Sequence, residues 1–146
     1  MIFIGADHRG YKLKETLKTY LKELGYNVED SGALKLNPND DYPDFALSVA
    51  KKVAENPEKN RGILLCSSGI GVDIVANKIK GIRSALCFDA KQAKASRNDD
   101  DTNVLSLASD FISEEKAKEI VKIWLETSYA KLEKYERRLI KIKNIK

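Results

Sequence analysis

Cys66 is followed by Ser67, Ser68, Gly69, Ile70 and Gly71, a thiol placed directly before a run of hydroxyls and glycines. A thiolate can act as base or nucleophile, and it is favoured where backbone N–H groups and a helix N-terminus face it. Glycines let backbone amides approach an oxyanion closely, and serine hydroxyls add further donors. The segment could therefore hold developing negative charge beside a proton-transfer group. It could equally be a small buried side chain before a tight turn, and the residues alone leave both readings open. A low-molecular-weight phosphatase loop would need an arginine six residues after the cysteine, whereas position 72 is Val72.

Two other polar clusters stand out. Asp7-His8-Arg9-Gly10 contains the only histidine of the chain, a group able to donate to a phosphate or a ring oxygen. A metal site is unattractive, because there is no second histidine and the thiols lack ligand spacing. The run Ser96-Arg97-Asn98-Asp99-Asp100-Asp101-Thr102-Asn103 carries three consecutive carboxylates. These could hold Mg²⁺, but more often mark a loop and a helix end.

The elements that must position these clusters follow from periodicity. Short apolar runs predict strands at residues 2–6, 27–31, 62–66, 84–87 and 104–108, alternating with amphipathic segments in the manner of βαβ units around a parallel sheet. Gly62–Cys66 lacks polar alternation, as a central strand buried on both faces should. Leu13, Leu17, Leu21 and Leu24 recur at helical spacing, as do Ala46, Val49, Ala50 and Val53, and Ala117, Ile120, Val121 and Trp124. Gly25 is a helix-stop signal and Ser113 an N-cap candidate, although Lys116 stands where a capping box wants Glu or Gln. In a parallel sheet, ligands bind beyond the carboxyl ends of the strands. The Asp7 and Cys66 clusters fall there, whereas the Asp99 cluster precedes the fifth strand and lies toward the opposite end. One subunit could hardly bring the two together; a dimer partner could. Leu132, Tyr135, Leu139 and Ile142 form a narrow seam on a charged terminal helix, suited equally to a neighbouring subunit or to its own domain.

Composition limits what else the chain could be. Its 146 residues, 42% hydrophobic and 33% charged, suit one soluble domain over residues 1–146, with no repeat or low-complexity tract. No apolar run approaches the roughly 18 residues of a membrane span, and the apolar part of MIFIGADHRG is too short for a secretion signal, so a cytoplasmic location is expected. Cys66 and Cys87, in what look like adjacent buried strands, are read as free thiols. The net charge is +4, with seven Lys or Arg against two Glu from Lys131 to Lys146. That cluster suits a solvated helix face or an anionic small ligand. Nucleic acid fits poorly without aromatic interleaving or a recognition motif.

Four segments in order, GADHRGYKLKE from Gly5, DYPDFA from Asp41, GILLCSSGIGVDIVANKIKGIRSAL from Gly62 and SRNDDDTNVL from Ser96, resemble ribose-5-phosphate isomerase type B. Galactose-6-phosphate isomerase subunits share that superfamily. The resemblance implies a three-layer α/β/α Rossmann-like fold with a five-stranded parallel sheet. It also implies no metal or other cofactor, and a homodimer, able to pair into a tetramer, with active sites at the subunit interface and the C-terminal helix packed there. By the same resemblance Cys66 is the base that shuttles a proton between C1 and C2 through a cis-enediol(ate), and Ser68, where the family usually has Thr, assists ring opening. Amides around Ser67, Gly69 and Gly71 stabilise the enediolate oxygens. Asp7 and Tyr42 contact sugar hydroxyls and His8 the phosphate.

Two departures accompany the match. Asp99 stands where the family commonly has a ring-opening histidine; its reference pKa of about 3.9 would have to rise to make it an acid, a direction in which neighbouring Asp100 and Asp101 push. Asp100 joins the substrate-binding set. In the C-terminal phosphate motif, Lys134 and Arg138 retain an i, i+4 pair of cations where the family has arginines, with Arg137 the position an ungapped alignment selects. The expected activity is interconversion of ribose 5-phosphate and ribulose 5-phosphate. The alternatives are a six-carbon sugar phosphate isomerase and a non-catalytic phosphosugar-binding protein of the same fold.

Overall fold

The apolar runs become five parallel strands: β1 (Ile2–Ala6), β2 (Val28–Asp30), β3 (Arg61–Cys66), β4 (Ser84–Leu86) and β5 (Val104–Ala108). The computed structural model describes residues 1–146. In space the order is β2-β1-β3-β5-β4. The three inner strands are buried on both faces, whereas β2 and β4, each paired on one side only, shrink to three residues and stay partly exposed. This is shorter than the sequence predicts, because an edge strand has half the ladder to hold it. The order also corrects one expectation. Cys66 and Cys87 are not on adjacent strands, since β5 lies between β3 and β4. The two thiols face opposite layers and are both free. Burial pushes the Cys87 thiol up to about 11.

Alternation along the strands sorts the core into two layers. Ile2, Ile4, Ile63, Leu65, Leu105 and Leu107 meet α1 (Tyr11–Glu23), α4 (Ala90–Asp100) and α5 (Glu114–Glu126), with Trp124 wholly buried. Phe3, Leu64, Cys66 and Val104 meet α2 (Tyr42–Ala54) and α3 (Ile70–Ala76). This is a three-layer α/β/α sandwich. Helix ends follow local chemistry. Gly25, at φ +89°, closes α1 with Gly25 N–H to Lys22 O and Tyr26 N–H to Leu21 O, a Schellman motif. Ser113 Oγ accepts the Lys116 N–H at 3.1 Å, so the cap forms without a capping-box partner.

The last helix, α6 (Glu133–Lys143), buries no residue. Tyr135 and Leu139 of its seam are half-covered, but Leu132 and Ile142 are 48% and 47% exposed, and the helix packs chiefly on α4. The chain's own domain therefore covers part of the seam and leaves the rest to solvent.

Lys14 is an unusual core residue, a fully buried ammonium that donates to both Asp30 oxygens at 2.8 Å and to the Ala33 carbonyl. Burial opposes the charge on Asp30, but hydrogen bonds from Lys14 and Lys18 outweigh it and hold the carboxyl below its ordinary range. The folded pKa thus lies below the unfolded one, so this stabilisation is present above about pH 4 and is lost as pH falls through the folded value. Burial likewise opposes the charge on Lys18, yet Asp30 and Glu15 raise it above the ordinary 10.5, so its share fades only on the alkaline side. Lys14→Met is expected to cost about 3 kcal/mol in urea unfolding at pH 7, since one charge of a buried pair is left behind, and to lose less stability than wild type between pH 4 and 2. An unchanged midpoint would contradict this account.

Candidate active site

The strand order reverses between β1 and β3, and there the chain leaves both strands side by side, Ala6 paired with Leu65. A parallel sheet opens a crevice at such a point. Asp7-His8 and Cys66-Ser67 both enter it. Cys66 ends β3 almost fully buried, and the main chain is fixed beyond it by Ser109 N–H to Cys66 O and Asp110 N–H to Ser67 O. The turn is possible because Gly69 sits at φ +72°; a β-carbon there would meet the Leu107 carbonyl at 2.9–3.0 Å and Leu86 Cδ1 at 2.5 Å. Gly71 is required for a different reason, since the Tyr42 ring from α2 lies where its β-carbon would be. Tyr42 is thereby brought against the loop after Cys66, although it lies 24 residues away in the chain.

The hydroxyls are unequal. Ser68 Oγ accepts the Ile70 N–H at 3.3 Å and keeps its own proton to donate. Ser67 Oγ donates to Asp110 Oδ2 at 2.6 Å, and Arg9 reaches the same oxygen. Those two partners hold the Asp110 carboxyl below its usual range, the serine hydrogen bond foremost. Sequence reasoning missed Asp110, though it follows β5 as the other clusters follow β1 and β3, and the same strand-end rule would have found it.

Asp7 is buried, its Oδ1 accepting the Arg9 and Gly10 N–H groups at 3.0 and 3.1 Å. His8 meets Asp40, another residue the sequence did not signal, on the loop before α2. Asp7, His8 and Asp40 bring ligand-type atoms within 4.8 Å of one another, the one grouping of metal-ligand residues in the fold. His8 Nδ1 and an Asp40 oxygen are spent on each other at 2.7 Å, so the grouping is a hydrogen-bonded dyad beside a carboxylate.

The remaining candidates lie elsewhere. Asp99 and Asp100 end α4, near the amino end of β5, where Asp99 accepts from Asn98 Nδ2 at 2.7 Å. Val104 pairs with Gly62 and Ala108 with Cys66, so about 13 Å of strand separates the two ends. Desolvation and the facing Asp99 carboxylate push the Tyr135 phenol up. Burial and Asp99 raise the Asp100 carboxyl, with Arg138 and Arg83 opposing. Lys134 lies 5.2 Å over the Tyr135 ring, and Lys134, Arg137 and Arg138 are all exposed. Asp101 is structural: it takes bonds from Arg83 at 3.0 Å and Arg97 at 2.8 Å at the left-handed end of α4. The single chain therefore gathers Cys66, Ser67, Ser68, Gly69, Gly71, Asp7, His8 and Tyr42, and holds Asp99, Asp100, Lys134, Arg137 and Arg138 apart.

A family model described as Ribose/Galactose Isomerase matches residues 2–142. The chain belongs to this isomerase family. Probable ribose-5-phosphate isomerase B of Mycoplasma genitalium is 42% identical over 97% of this chain and 92% of its own length. A crystal structure of ribose-5-phosphate isomerase B from Mycoplasma genitalium with bound ribulose-5-phosphate superposes with a TM-score of 0.94 at 42% identity, covering 97% of this chain and 93% of that one. D-erythrulose-4-phosphate isomerase of Pectobacterium atrosepticum is 40% identical over 88% of this chain and 84% of its own. Membership makes the protein a sugar-phosphate aldose–ketose isomerase, and the strand-end crevice is the part of the fold whose chemistry suits one. A thiol at a strand end, a free serine proton and a carboxylate beside an imidazole are the groups that moving a proton between two adjacent carbons calls for.

Proposed function

We propose that this isomerase interconverts ribose 5-phosphate and ribulose 5-phosphate. The observation that carries the reading is the convergence of Cys66, Asp7 and His8 at the switch point, in a chain that matches a ribulose-5-phosphate-bound relative along 97% of its length. The Cys66 thiolate takes the proton from C2 of the open-chain aldose. The electron pair forms the C1–C2 double bond of a cis-enediolate, with negative charge on the C1 oxygen. Proton exchange between the two oxygens moves that charge to O2, and the thiol returns its proton to C1 to give the ketose. Amides of the 67–71 loop hold the oxygens, an interaction strongest in the transition state. Ser68 donates to an oxygen of the opening ring, and the free Asp7 oxygen and Tyr42 take sugar hydroxyls.

The phosphate end requires a second subunit. In a homodimer, Asp99 of the partner subunit would serve ring opening at this Cys66, and Lys134 and Arg138 of the partner subunit would hold the phosphate opposite His8. Support comes from the seam of α6 that this domain leaves uncovered and from the separation of the two half-sites within one chain.

A coupled assay with ribose 5-phosphate tests the substrate, run beside galactose 6-phosphate and D-erythrulose 4-phosphate, the last because of the 40% identical relative. Turnover of a six- or four-carbon phosphate in preference to ribose 5-phosphate would overturn the assignment. Charge-assisted hydrogen bonds contribute roughly 1.5–3 kcal/mol each, so Arg138→Ala should lower kcat/KM for ribose 5-phosphate by about 10–150-fold. It should scarcely affect free ribose. Equal losses on both sugars would place the anion elsewhere, with Arg137 and Arg9 next in line. Binding energy at the phosphate aligns C1 and C2 with the base, so kcat should fall along with the rise in KM.

A further inference from the structure

We propose that Asp40 is a positioning residue for His8, which keeps the ring proton on Nδ1 and aims Nε2 into the site. The proposal deepens the reading above and rests on it for its kinetic arm. Asp40 Oδ1 accepts two bonds from the same residue, the His8 main-chain N–H at 2.9 Å and the ring Nδ1 at 2.7 Å. A carboxylate can only accept, so the shared proton belongs to Nδ1 whether the ring is neutral or charged. Rotating the imidazole would break one bond while the other still held the backbone, so the ring has one direction to face. Nε2 has no protein partner, and His8 keeps 28% of its side chain exposed, next to the buried Asp7.

Asp40 can act only through His8. Its side chain is 8% exposed and its second oxygen, Oδ2, is sealed from solvent with no donor. A substrate hydroxyl cannot reach it. The grip also comes from outside the His8 segment. Asp40 lies on the loop joining β2 to α2, whose first residues are laced to β1 by Ala33 N–H to Ala6 O and Ala6 N–H to Gly32 O, both 2.8 Å, and to α1 by Lys14 donating to the Ala33 carbonyl. Asp40 itself is turned inward by its N–H to Asn37 O at 3.1 Å. Thirty-two residues separate the partners, so the dyad forms only when this loop is docked.

Because His8 is the only histidine, one pair of ring ¹⁵N resonances in the full-length protein reports its tautomer without assignment. In the neutral ring, wild type should show a protonated Nδ1 and a bare Nε2, the reverse of the preference of free histidine. Asp40→Ala should move the proton to Nε2, whereas Asp40→Asn, whose amide oxygen still accepts, should retain it on Nδ1. Orienting partners of metal-binding histidines contribute about 10–100-fold; by the same positioning argument kcat/KM for ribose 5-phosphate should fall by about that factor in Asp40→Ala and recover largely in Asp40→Asn. A wild-type ring protonated on Nε2, a tautomer indifferent to Asp40→Ala, or a tautomer shift without loss of kcat/KM would each overturn the proposal. If wild type turned over none of the sugar phosphates, the isomerase reading would fail, and the ¹⁵N result would still decide whether Asp40 holds His8.

Discussion

Replacing Cys66 by alanine should lower kcat for ribose 5-phosphate by about 10²–10⁴-fold, the usual contribution of a positioned general base, while leaving KM within a few-fold. The separation of the two parameters follows from position. Cys66 lies at the end of β3, almost fully buried, and in the proposed mechanism touches the substrate only at the carbon-bound proton. Sugar hydroxyls and phosphate are held by other groups. Folding should survive the change, because alanine fits the space of a small side chain already packed in the core layer beneath α2 and α3. Steady-state kinetics and solvent-deuterium incorporation at C1 and C2 check the assignment together, since a variant without its base should lose exchange and turnover in parallel. Near-normal kcat would remove Cys66 from the mechanism and turn attention to Asp7, the nearest buried carboxylate.

Mixing two inactive variants should restore activity. Asp99→Asn removes the proposed ring-opening acid, and a general acid contributes about 10²-fold or more. Cys66→Ala removes the base. If each active site joins Cys66 of one subunit to Asp99 of the other, a heterodimer of the two variants carries one intact site and one doubly defective site. Random reassortment makes half the dimers heterodimeric, so an equimolar mixture should recover about a quarter of wild-type activity. The geometry behind this is the roughly 13 Å of strand between the half-sites, together with a C-terminal helix that buries none of its residues on its own domain. Subunit exchange, shown by native mass spectrometry of a tagged pair, must accompany the kinetics. Exchange without recovered activity would show that each subunit builds its site alone.

Much of the fold was legible because it depends on short-range pattern. Strands β1 and β5 begin and end where the apolar runs do, and the helix stripes through Leu13, Val49 and Ile120 face the core, except that Leu24 falls at the C-cap of α1 and is 39% exposed. Gly25 and Ser113 act through bonds that reach no further than five residues. The placement of the Cys66 and Asp7 clusters at one end of the sheet, and of Asp99 at the other, also follows from chain direction in a parallel sheet.

What escaped has a common cause. The edge strands shortened because a residue at the rim is held by one neighbour, and which strands become edges is a matter of order in space. The exchange of β4 and β5 in that order, which parts Cys66 from Cys87, leaves no mark in local periodicity. Asp110 and Asp40 were unremarkable carboxylates in polar loops until the sheet set them against Ser67 and Arg9, 43 and 101 residues away, and against His8, 32 residues away.

The alternating α/β architecture, the family and the place of Cys66 at a strand end are therefore written in the chain itself, since apolar spacing and a short motif are carried by neighbours in sequence. Tertiary contacts alone set Asp40 against His8, leave the Ser68 hydroxyl proton free while Ser67 spends its own on Asp110, and keep Lys134, Arg137 and Arg138 apart from Cys66. Each of those depends on contacts between distant segments, formed when the two apolar layers close on the sheet and fix its loops relative to one another.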